Sequence, residues 1–114
     1  MRGHDFFRWP DGKGGFGSVG FQDPNGKDGD KPQPDHPEKA RSCRSCETTG
    51  GTLQYGAGKG KSGDAASDAE IQDCLKNRPI KGTYGGICNN CNGWANGAES
   101  DCGLACNGNS YIPK

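Results

Sequence analysis

The stretch Ile87-Cys88-Asn89-Asn90-Cys91-Asn92-Gly93-Trp94-Ala95 sets a thiol directly behind two Asn residues, with an aromatic and small residues after it. Asn is a preferred helix N-cap because its side-chain oxygen accepts a hydrogen bond from an unpaired N–H of the first turn. With Asn89 or Asn90 as the cap, Cys91 falls in that first turn, and a helix is expected to run on over residues 92–102. Trp94, Ala95 and Ala98 would form its buried side. The free N–H groups and the positive end of the helix dipole favour an anion there. A thiolate is such an anion, and helix N-termini are a standard device for lowering a Cys pKa. Cys91 is therefore the candidate nucleophile. Its base must be a His, and the chain has two, His4 and His36.

The same residues support two other readings. Cys88 and Cys91 form a CxxC pair, and Cys43-Arg44-Ser45-Cys46 forms another. Two such pairs separated by a loop are the usual signature of a tetrahedral zinc site, which would make the chain a zinc-stapled binding module. A purely structural role for every Cys in disulfides is the third reading. Spacing alone leaves all three open.

A length of 114 residues suits a single domain. The 14 basic and 14 acidic residues cancel and are spread along the chain, which argues against a nucleic-acid partner held by a basic surface. Leu, Ile, Val and Phe number 3, 4, 1 and 4, together 12, against 21 Gly. A chain so poor in core residues needs covalent or metal staples. The seven Cys supply them, and because seven is odd, one thiol stays over if the others pair. Six paired Cys with Cys91 free would suit an oxidising compartment. No run of 18 apolar residues is present, so no membrane span is expected. No apolar signal core follows Met1-Arg2-Gly3-His4. Either the chain stays in the cytosol, or a dedicated system or a larger parent protein exports it, the second being the expectation.

Along the chain, His4 to Trp9 reads as a strand, with His4, Phe6 and Arg8 on one face and Asp5, Phe7 and Trp9 on the other. Pro10-Asp11-Gly12-Lys13-Gly14-Gly15 is turn chemistry, and residues 16–21 form the return strand with Val19 and Phe21 on one face. Residues 24–42 read as a polar surface loop, part of a long loop-rich insertion over 24–66. His36 lies inside it and reads as a solvated loop His rather than a base. The run Gly56-Ala57-Gly58-Lys59-Gly60-Lys61-Ser62 looks like a phosphate loop but lacks its spacer and leading strand, so nucleotide binding is not expected. Ser67-Asp68-Ala69-Glu70 is a capping box opening a helix over 68–77, with Ile71, Cys74 and Leu75 as its apolar stripe and Pro79 as its stop. Gly103 is the expected terminator of the later helix, Cys102 and Cys106 bracket that end and suit a staple, and residues 107–114 read as a loose tail.

The order of these signals resembles the circularly permuted papain-like (NlpC-type) cysteine hydrolases found as toxin modules of bacterial polymorphic toxins and type VI secretion effectors. The residues that carry the likeness are Gly3-His4-Asp5-Phe6, Gly20-Phe21 and Asn89-Asn90-Cys91-Asn92-Gly93-Trp94-Ala95. It covers most of residues 3–24 and 68–104, and its departure is the density of additional Cys. The resemblance implies a small α+β permuted papain-like domain, an N-terminal β-hairpin with two short helices, loop-rich and disulfide-stapled. It implies Cys91 as nucleophile and His4 as base, with Ser18 or Gln22 as the orienting polar residue. It implies no cofactor, and a peptidoglycan stem peptide or other amide as substrate in the target-cell periplasm. A cognate immunity protein is the partner implied.

Overall fold

The computed structural model describes residues 6–10, 13–14, 16–21, 26–33, 46–48, 53–60, 68–82 and 91–106. The described residues form a mixed α+β arrangement of two small antiparallel sheets, two α-helices and a short 3-10 turn.

Strands β1 (Phe6–Pro10) and β2 (Phe16–Gly20) form the expected hairpin, paired Phe6 with Gly20, Phe7 with Val19 and Trp9 with Gly17. Alternation puts Phe7, Trp9, Val19 and, just past β2, Phe21 on the core face, and all four are buried. Gly17 has a specific job in this register. A Cβ there would meet the indole of Trp9, which lies across it. Phe6 is also buried, although it stands outside the main apolar cluster.

Helix α1 (Asp68–Asn77) has the bounds the sequence suggests, and Ile71, Cys74 and Leu75 are fully buried. Burying each aliphatic side chain of such a stripe contributes about 1.5–3 kcal/mol. Ser67, the cap of the expected box, lies outside the described residues. Helix α2 (Cys91–Asp101) starts and stops one residue before the expected span. Its buried side is Trp94, Ala95 and Ala98, as expected. Gly103 follows at φ +67°, the left-handed conformation that Gly adopts at a helix end without Cβ strain.

The structure chooses one pairing that the sequence leaves open. Cys102 is bonded to Cys74, so it does not pair with Cys106; the disulfide ties the middle of α1 to the residue just after α2. The described part of the stretch 24–42, residues 26–33, is a mostly exposed loop as expected, and it is held at several points by hydrogen bonds. Gly20 and Gln33 exchange both backbone hydrogen bonds at 2.9 Å. Gly29 N–H donates to the Ile80 carbonyl, and Ile80 N–H donates to the Asp30 carbonyl, each at 2.7 Å. Asp28 Oδ1 accepts from Gly82 N–H at 2.7 Å, and Lys31 Nζ donates to Asn77 Oδ1 at 2.9 Å. The polar residues that make this segment look solvated are the ones that strap it across the exit of α1.

A second sheet pairs β3 (Cys46–Thr48) with β4 (Leu104–Cys106). The expected tail at 107–114 lies outside the described residues.

The two helices meet at Arg78, a charged residue only 6% exposed. Its Nε donates to Asp101 Oδ2 at 3.0 Å, and its Nη1 donates to the Trp94 carbonyl at 3.3 Å. The Trp94 indole N–H donates back to the Arg78 carbonyl at 3.2 Å. Asp101 sits at the negative end of α2, where a carboxylate is unfavourable, and the Arg78 guanidinium offsets that charge. A buried charge costs free energy unless paired and hydrogen-bonded, and these contacts meet that requirement.

The clamp separates two glycines of α2 that look alike in the sequence. A Cβ at Gly93 would meet nothing within 4 Å, whereas one at Gly97 would strike the Arg78 guanidinium. Gly93→Ala is expected to stabilise by about 0.5–1 kcal/mol through reduced chain entropy. Gly97→Ala is expected to destabilise by about 1–3 kcal/mol, because overpacking displaces a held side chain. Chemical denaturation of the two variants side by side checks the opposite signs.

Candidate active site

The sequence points to the head of α2, and the helix does begin at Cys91. No acidic residue stands in the first turn to compete with an anion for its N–H groups. The turn is anchored from below. Trp94 is 3% exposed and meets Phe7 edge-on, ring centroids 5.6 Å apart at 70°. That contact joins a residue three positions after Cys91 to one three positions after His4. Core burial thus draws the first strand and the late helix into one packed layer.

His4, His36 and Gln22 lie outside the described residues, as do Cys43 and Cys88. Ser18 is half-buried on β2 and pairs in register with Arg8. Directly opposed residues share a face, so Ser18 lies on the side of Phe6, away from the face that Phe7 turns toward Trp94.

Of the four Cys of the zinc reading, the backbone of Cys46 is in β3 and that of Cys91 opens α2. Among the described residues no group of three or more His, Cys, Asp or Glu is placed to hold a metal ion. The phosphate-loop lookalike is placed more decisively. Residues Gly56–Gly58 make a single tight turn against α1, and the Ala57 N–H donates to the Asp73 carboxylate. A phosphate would need that N–H and would meet Asp73's negative charge in its place. Gly56, at φ +67°, lies against the same carboxylate, where no Cβ would fit. Gly56 is thus explained by the approach of the turn to Asp73 and Asn77.

Arg78 and Asp101 are the polar pair that the sequence reading missed. Arg78 sits beside Pro79 at the end of a helix, a place that reads as solvent. The one available signal was its partner: an acidic residue at the C-terminus of α2, where the dipole disfavours one. Among the described residues, no helix is long and apolar enough to cross a membrane. Compared with protein-family models, with curated proteins and with solved structures, the chain gives no match.

Proposed function

We propose that this chain is a cysteine hydrolase domain of the antibacterial-toxin kind, with Cys91 as nucleophile and His4 as its base. The observation that supports it is that α2 begins at Cys91 while Trp94, in the same first turns, packs on Phe7 of the strand that follows His4. The Cys91 thiol gives its proton to the His4 imidazole, and the thiolate attacks the carbonyl carbon of an amide. The oxyanion accepts hydrogen bonds from N–H groups at the head of α2. The tetrahedral adduct collapses to a thioester as His4 protonates the leaving amine. Water, deprotonated by His4, then releases the carboxylate and restores the thiol.

The reading sets a requirement on the first strand. If the alternation of Phe6 and Arg8 continued upstream, His4 would share their face rather than that of Phe7. The dyad needs His4 to leave the ladder and turn toward α2. Ser18 and Gln22 both stay candidates for the orienting polar residue; period two would put them on one face of the strand, and Gln22 lies outside the described residues. The amide of a peptidoglycan stem peptide is the proposed substrate, reached in the target-cell periplasm. An immunity protein covering Cys91 is the proposed protection for the producing cell.

The test is expression in the bacterial periplasm of the wild-type chain, Cys91→Ala and His4→Ala, with digestion of purified peptidoglycan in parallel. Loss of toxicity and of new peptide termini is expected in both variants, with unchanged thermal melting. Full toxicity in either variant ends the dyad. One zinc per chain, lost together with the fold on chelation, would replace it with a binding module held by Cys43, Cys46, Cys88 and Cys91.

A further inference from the structure

The β3–β4 register sets Cys46 directly opposite Cys106. Directly opposed residues of an antiparallel pair have Cα atoms about 4.5–5.5 Å apart. A disulfide spans Cα separations of about 4.4–6.8 Å, so the backbone at this rung accepts one without moving. Position 106 is two residues from Leu104, which is 5% exposed and part of the core cluster, whereas Ala105 between them is exposed. Three-residue strands joined over such a long stretch of chain have little to hold them by hydrogen bonding alone.

We propose that Cys46 and Cys106 form a second, cross-strand disulfide. It encloses the Cys74–Cys102 bond within a larger loop, so the stretch from β3 through both helices to β4 is closed twice. The bond forms by exchange with a disulfide oxidant, a small-molecule or enzymatic one. One deprotonated thiol of the pair attacks the oxidant's disulfide and gives a mixed disulfide. The other thiolate then displaces the oxidant, which leaves as two thiols carrying the two electrons. Four of the seven Cys are then used, and Cys43, Cys88 and Cys91 remain. Three is odd, so at least one thiol stays free whatever the others do. With Cys46 so bonded, the four-Cys zinc site lacks a ligand.

Disulfide mapping of the full chain from an oxidising compartment tests this. Free thiols are blocked with N-ethylmaleimide in acidic denaturant, and the protein is cut with trypsin and chymotrypsin without reduction. Trypsin separates Cys43 from Cys46 at Arg44, and chymotrypsin separates Cys102 from Cys106 at Leu104. Residues 45–53 joined to residues 105–111 are expected. Cys46 recovered with the blocking group, or joined to any other Cys, overturns the proposal. Cys46 joined to Cys91 would also end the proposed nucleophile, whereas Cys46 joined to Cys43 would leave it standing. A second measurement uses Cys46→Ala, Cys106→Ala and the double variant. Equal drops in melting temperature for all three are expected of one shared bond, and additive drops overturn it.

Discussion

Replacing Cys74 and Cys102 together by Ala should lower the free energy of unfolding by about 3–4 kcal/mol. The two residues are 28 apart in sequence, and cutting a bond that closes a loop of that size returns conformational entropy to the unfolded chain. A domain of this length is stabilised by only about 5–15 kcal/mol in total, so the loss is a large share. The location adds to it. Both sulfurs lie in the core at 0% exposure, and the bond joins the stripe of α1 to the exit of α2 beside Leu104. The single variants should be no milder than the double, because each leaves an unpaired thiol in the space the other sulfur occupied. Urea unfolding of the three variants under oxidising conditions measures this. A double variant within 1 kcal/mol of wild type would show that α1 and α2 are held by packing alone. Because both residues are buried, a reductant should reach the bond only as the core opens, and reduction in native buffer should be slow compared with reduction in denaturant.

The helices and the hairpin were legible because each is written locally. Ile71, Cys74 and Leu75 at i, i+3 and i+4 declare the buried stripe of α1, and all three are in the core. Phe7, Trp9, Val19 and Phe21 declare the hairpin by period two. The start of α2 could be read from the Asn pair before Cys91, and its end from Gly103. What escaped is what depends on pairing over distance. Neither β3 nor β4 is long enough to show alternation, and their register joins residue 46 to residue 106. Six Cys allow 15 connectivities, so Cys74–Cys102 was beyond reach from spacing. Arg78 escaped because a charged residue beside a Pro reads as a solvent-facing helix end, and only the fold brings Asp101 and the Trp94 carbonyl to it. For the candidate site, the helix head at Cys91 was legible. Its meeting with His4 is implied by family likeness alone; the ring contact joins α2 to β1, and His4 lies outside the described residues.

Trp94→Ala should cost about 3–5 kcal/mol, the range for removing a buried aromatic from a core. The indole joins three things at once. Its ring meets Phe7, its N–H satisfies the Arg78 carbonyl, and its backbone carbonyl accepts from the guanidinium that also pairs with Asp101. Removing the ring opens a cavity between hairpin and helix and leaves the Arg78 carbonyl unpaired in the interior, a further cost of about 1–3 kcal/mol if no water reaches it. Trp94→Phe keeps the edge-on packing and loses the indole hydrogen bond, so it should cost about half as much or less. The pair separates the packing of α2 on β1 from the polar clamp on its other side. If the hydrolase reading holds, Trp94→Phe should retain activity where it is folded, since the first turn carrying Cys91 stays seated on Phe7. Trp94→Ala should lose activity even at temperatures where circular dichroism still shows helix, because the turn is then free to shift from the first strand. Equal activity in the folded fractions of both variants would mean that the contact with Phe7 holds the fold together without positioning the thiol.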